Sequence, residues 1–205
     1  MFNFKLIYLL IFLLIVPSFV FAKKNSSQDP SDLLNKKAPQ LSGKDPITNK
    51  TKSIEKLNKS RPVFLKDKNG KHKVGPDGKW VFEIKRNVVI INFFATYCVP
   101  CIREIPTFNK VAEKYKDKHV EMAYVNIDPD MNNVKIKKFM KERNITVQMI
   151  MPKQQLAIKK YKVYGLPRVV IIDKKGIIRF IIEGLDENLE EVLSEKIDNL
   201  LSEKV

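Results

Sequence analysis

From Val88 onward the chain falls into apolar blocks with two clear periods. Val88 to Phe94 is a continuous run of β-branched and aromatic residues broken only by Asn92, the mark of a strand covered on both faces. Ile102, Ile105, Phe108, Ala112 and Tyr115 then recur at helical spacing, with Pro106 placed to kink that helix. Val120 to Ile127 predicts a second strand. Asp130 to Arg143 predicts a helix with Ile136, Phe139 and Met140 on one face and Asn144 as its stop. Thr146 to Met151 predicts a short strand and Gln154 to Tyr161 a short helix. Arg168 to Ile172 and Ile177 to Ile182 flank Asp173-Lys174-Lys175-Gly176, a hairpin turn. A last helix is expected from about Glu187 to Leu201, with Leu189, Val192, Leu193, Ile197 and Leu200 inward. Strands alternating with helices predict an α/β domain with a central mixed sheet and helices on both faces. There is no internal repeat.

The chain before Val88 is less regular. Residues 1–22 read as an export signal. Lys5 supplies a positive start, Leu6 to Val16 is apolar, Pro17-Ser18 breaks the run, and Val20-Phe21-Ala22 offers a cleavage site. An uncleaved N-terminal anchor is the other reading, though the run is short for a membrane span. Residues 23–37 are polar and lysine-rich, so a flexible linker is expected there and the folded domain, 38–205, is expected to begin near Ala38-Pro39. Residues 40–87 are read as an N-terminal β-rich extension. Asn69-Gly70 and Asp77-Gly78 are hairpin-turn dipeptides between the short strand candidates Val63-Phe64-Leu65 and Trp80 to Ile84. Trp80 is expected to pack, His72 to be solvated, and His119 to lie at a surface turn.

Composition narrows the classes. With 205 residues, 44% hydrophobic and 30% charged, the chain can bury a core without disulfide staples. The net charge of +15 comes almost entirely from dispersed lysines. A nucleic-acid surface would need a basic patch interleaved with arginines or aromatics, and none is evident, so no nucleic-acid partner is expected. The dispersed lysines read first as a solvated surface, with attraction to an anionic membrane surface as the other reading.

The chemistry concentrates in Asn92-Phe93-Phe94-Ala95-Thr96-Tyr97-Cys98-Val99-Pro100-Cys101, which holds both cysteines of the chain. A C-x-x-C pair at the junction of a buried strand and a helix reads as a redox couple. As a staple it would close too small a loop to gain much entropy. Zinc needs four ligands, and this chain offers one pair and two distant histidines, so no metal site is expected, transient copper at the pair apart.

These residues resemble the thioredoxin fold and, within it, the exported TlpA/ResA-type thiol-disulfide oxidoreductases. Pro106 matches the family's helix-kinking proline, Glu104 an acidic residue of the ResA-like branch, and Gly165-Leu166-Pro167 the loop that carries a cis proline. Two departures stand out: Asn92 replaces a buried acid, and Tyr97 replaces the usual tryptophan. The Ser60 to Lys85 stretch is also longer than the family suggests. The resemblance implies that Cys98, at the helix start, is the attacking thiolate and that the more buried Cys101 resolves the mixed disulfide. With Asn92 in the acid's place, Glu104 is the one nearby carboxyl expected to handle protons. Tyr97, Val99, Pro100, Leu166 and Pro167 are expected to meet substrate. No cofactor beyond the Cys98–Cys101 redox disulfide is expected.

The expected function is that of a monomeric reductant exported to the periplasm or the outer face of the cytoplasmic membrane. Its clients would be proteins with disulfides or thiols, such as apocytochrome c or copper-site proteins, and a membrane thiol carrier would supply electrons. The alternatives are a copper-binding metallochaperone on the same fold and a net disulfide oxidant. A peroxidase built on a lone peroxidatic cysteine does not fit a two-cysteine motif.

Overall fold

The computed structural model describes residues 30–59, 62–129 and 131–203. The expected signal segment and most of the expected linker lie outside these. A five-stranded sheet forms the centre, from β5 (Val88–Phe94), β6 (Val120–Asn126), β7 (Gln148–Ile150), β8 (Arg168–Ile172) and β9 (Ile178–Glu183), in the order β7-β6-β5-β8-β9. β5 runs parallel to β6, and β6 to β7, while β8 and β9 are antiparallel additions. Every residue of β5 is buried, because the strand sits third of five with helices on both sides. Successive side chains of a strand point to opposite faces. Thus the Phe94 ring meets Tyr124 and Phe139 on one face, and the Phe93 ring meets Tyr161 on the other, 5.0 Å away between centroids.

The helices of this core are α2 (Val99–Lys114), α3 (Asn133–Glu142), α4 (Gln154–Tyr161) and α5 (Leu189–Ser202), and a short α1 (Ile54–Asn58) precedes them. Pro106 lies within α2. The helix expected from Asp130 starts at Asn133 because the Asn132 carboxamide caps it, accepting from the N–H groups of Val134 and Lys135 at 3.0 Å. Asn144 takes a positive φ of 51°, as a helix stop should. The Asp173 carboxylate tightens the β8–β9 turn by accepting from the N–H groups of Lys175 and Ile177.

The N-terminal part differs from expectation in three ways. First, residues 30–37 are folded, so the domain starts before Ala38. Pro30–Leu33 form a 3₁₀ turn, Leu33 is buried, and Asp32 pairs with Lys162 at 2.7 Å. Asn35 then donates its N–H to Ile178 and Lys36 accepts from Ile178. Second, the β-rich extension contains a helix. β1 (Ser42–Lys44) and β2 (Thr51–Ser53) pair, and Ser53 caps α1 by accepting from Lys56 N–H. Gly43 is required here, since a Cβ would stand 2.3 Å from the Met151 carbonyl carbon. Third, Trp80 is 56% exposed and stacks on His72, with ring centroids 4.8 Å apart, in a hairpin formed by β3 (Pro62–Phe64) and β4 (Phe82–Ile84). It does not pack into the core, and His72 is not merely solvated.

That hairpin leaves and rejoins the domain through one pair of side chains. Asn58 Nδ2 donates to the Asn87 carbonyl, and Asn87 Nδ2 donates to the Leu57 carbonyl. Asn58 also donates to the Asp173 carbonyl, tying the base to the β8–β9 turn.

Candidate active site

Cys98 and Cys101 are joined in a disulfide, with Cα atoms 5.3 Å apart, at the point where β5 hands over to α2. Cys98 is the N-cap residue of α2: its sulfur accepts the Cys101 N–H at 3.2 Å. That sulfur therefore faces the positive end of the helix and one of its free donors, which stabilises a thiolate there. Cys98 is 8% exposed and Cys101 1%, so the first sulfur is the accessible one and the second lies inside.

The ladder carries the proline loop to the same end of the sheet. Phe93 pairs with Arg168, so Pro167 follows at the height where β5 turns towards Cys98. The Leu166–Pro167 peptide is cis. Pro167 is buried and its carbonyl is taken by Gly184 N–H. Neither the N–H nor the C=O of Leu166 is hydrogen-bonded to another of the described residues, so an extended segment laid along the loop would find both free. Tyr97 and Val99 stand 68% and 60% exposed beside the disulfide, Pro100 is half-buried, and Tyr164 adds an exposed ring.

Glu104 faces inward one turn past Cys101 and is buried. Burial pushes its carboxyl up from 4.5 to about 7, against hydrogen bonds from Asn92 Nδ2 at 3.3 Å and from the Asp186 N–H, with the Asp186 charge adding to the rise. Asn92 therefore does not merely leave the buried acid missing; it holds Glu104 in that region. Glu104 Oε1, Asn92 Oδ1 and the Tyr124 hydroxyl have no hydrogen-bond partner among the described residues. Burial and the Glu104 charge both keep the Tyr124 hydroxyl protonated. The expectation that Glu104 is the one nearby carboxyl needs correction, because Asp186 lies against it.

Two further groups escaped the sequence reading. The Asp128 carboxylate accepts from the Thr96 N–H at 3.0 Å and from its hydroxyl at 3.3 Å, bracing the loop that leads into Cys98. Arg168, directly after Pro167, is fully buried and pairs with Glu183. Neither belongs to a local motif; each is a contact between distant segments, which no spacing rule announces.

Sheet order, helix placement, the disulfide at the start of α2 and the cis-proline loop together define a thioredoxin-like protein with a two-cysteine centre. Solved structures agree on the fold. A thiol:disulfide interchange protein of the thioredoxin family from Chlorobium tepidum superposes with TM-score 0.58 at 20% identity, covering 82% of this chain and 97% of that one. A thiol:disulfide interchange protein from a Bacteroides species gives 0.60 at 16%, covering 80% and 90%. Residues 78–181 match the AhpC/TSA family, and the chain belongs to that family. Among curated relatives, the thiol-disulfide oxidoreductase ResA of Bacillus thuringiensis subsp. konkukian is 35% identical over 113 residues, 54% of this chain. The chain spans 64% of that relative's length.

Proposed function

We propose that this protein is an exported thiol-disulfide oxidoreductase that reduces disulfides in client proteins. The observation that carries the reading is the Cys98 sulfur at the helix N-cap, beside a loop whose Leu166 backbone groups have no hydrogen-bond partner among the described residues. The ResA relatives and the apolar N-terminal stretch support it.

In the forward direction the Cys98 thiolate attacks one sulfur of a client disulfide held along Leu166. A mixed disulfide forms and one client thiolate leaves. Cys101 then loses its proton to Glu104 and attacks the Cys98 sulfur, which closes the intrachain disulfide and releases the second client thiolate. Two electrons pass to the client, and its two released thiolates take their protons from water, while Glu104 keeps the proton that left Cys101. A carboxyl held near pH 7 suits that relay, since it takes a proton from Cys101 and returns it when the pair is re-reduced. A dithiol carrier at the membrane restores the Cys98 and Cys101 thiols by the reverse exchange. Apocytochrome c and copper-site proteins are the client types the reading favours.

The test is trapping. Cys101→Ser leaves mixed disulfides on Cys98 unresolved, and exported proteins with disulfides are expected among those caught. Catching none of them would remove the client-reductase reading. The potential of the pair separates directions: a value near about −270 mV fits a reductant, and one near about −120 mV would make the protein an oxidant.

A further inference from the structure

The 62–86 insertion has one apolar face that no other described residue covers. Its ladder extends past β3 and β4 through the bridges Lys66–His72 and Val74–Trp80. Cross-strand partners share a face, as do residues two apart on one strand. The same face therefore presents Phe64, Lys66, His72, Val74, Trp80 and Phe82. Phe64 sits edge-on to His72, Trp80 and Phe82, with centroids 5.6, 5.4 and 6.2 Å away. Phe64 is 39% exposed, Phe82 53%, and Val74 and Trp80 56% each, and none of them joins the core of the domain. Two aromatics and a valine left largely in water beside a preformed stack mark an interaction surface.

Its charge says what it meets. Residues 62–86 carry seven basic side chains against three acidic ones. The Asp67 carboxylate is occupied by the N–H groups of Asn69 and Lys71 in the tip turn. Lys66, Lys68 and Lys71 are exposed and make no ion pair among the described residues. In three dimensions the insertion thus brings basic and aromatic side chains into one patch. A second copy of the chain would bring two such positive faces together. Trp favours the boundary between headgroups and acyl chains, Phe beside it adds apolar area that buries just below, and lysines there pair with anionic headgroups.

We propose that this hairpin docks on a bilayer surface rich in anionic phospholipid. Phe64, Trp80 and Phe82 enter the interface, and Lys66, Lys68 and Lys71 lie over the headgroups. The hairpin hangs from Asn58 and Asn87 at the start of β5, and Cys98 follows the end of β5, so the docking element and the thiols belong to opposite ends of that strand.

Trp80 is the sole tryptophan of the chain, so it reports on the hairpin itself, independently of the apolar residues 1–22. The full chain is mixed with vesicles of phosphatidylcholine plus phosphatidylglycerol, and with vesicles of phosphatidylcholine alone. On the anionic vesicles Trp80 emission is expected to shift to the blue and to be quenched by brominated acyl chains, and added salt reverses both. On the neutral vesicles neither change occurs. The triple variant Lys66→Gln, Lys68→Gln, Lys71→Gln is expected to bind about a hundredfold more weakly, at roughly fivefold per lysine. Disulfide reduction by that variant should equal that of the parent, which verifies its fold. Four outcomes overturn the proposal. They are a chain that sediments with anionic vesicles while Trp80 stays in water, an equal shift on neutral vesicles, a shift that grows with protein concentration without lipid, or tighter binding to a soluble polyanion such as heparin.

Discussion

Glu104 is where a single residue decides most. Its carboxyl holds a proton up to about pH 7 in the folded chain, against 4.5 for an ordinary glutamate. Between those values the folded state keeps a proton that the unfolded chain has released. Stability therefore falls as pH rises through this window and levels off above it, a loss of roughly 3 kcal/mol. Glu104→Gln is expected to flatten that limb, melting well above the parent at about pH 8 and close to it at about pH 4. Thermal unfolding followed across this range checks it, and parallel curves would mean that Glu104 titrates as an exposed acid. The residues of the site differed in how far the sequence disclosed them. Cys98, Cys101 and Pro167 were legible because each belongs to a short motif with a fixed place on a strand or helix. Glu104 was legible by spacing, since helical geometry puts it one turn from Cys101, but its burial was not. Asp128, Asp186 and Arg168 act across gaps in sequence that only the folded chain closes.

Elements follow the same logic of length and locality. β8 and α4 take the residues expected of them, Arg168–Ile172 and Gln154–Tyr161, because strong apolar blocks there end at clear breakers. β7 is shorter than its apolar run, and α1, β1 and β2 have three to five residues each, too few to show a period. Their existence depends on partners: β1 on the close approach that Gly43 permits, α1 on the Ser53 cap and on the buried Leu57 and Asn58. The paired asparagines at the hairpin base give a direct test. Asn87→Ala leaves the Leu57 carbonyl without its donor in a buried setting, which costs about 1–3 kcal/mol. Urea denaturation should show a lower midpoint with an unchanged slope. A midpoint equal to that of the parent would mean that the two asparagines do not hold the insertion in solution.

At the scale of the whole molecule, the N-terminal residues do more than lead into the domain. A sheet ordered β7-β6-β5-β8-β9 has two outer strands, and an outer strand with free N–H and C=O groups recruits strands from other molecules. One continuous stretch meets both, each at one end. Asn35 and Lys36 take the backbone groups of Ile178 at the start of β9, and further along Lys44 accepts from Met151 N–H just beyond β7. A chain cut at Ala38, where composition alone places the start of the domain, loses the first of these contacts together with Leu33 and the Asp32–Lys162 pair. Such a chain is expected to scatter light sooner on warming than one beginning at Lys23, through strand-to-strand association along β9. Equal scattering from the two would show that β9 needs no such guard. The polar stretch read from composition as a mere linker thus begins, by residue 35, to act as a gatekeeper against aggregation.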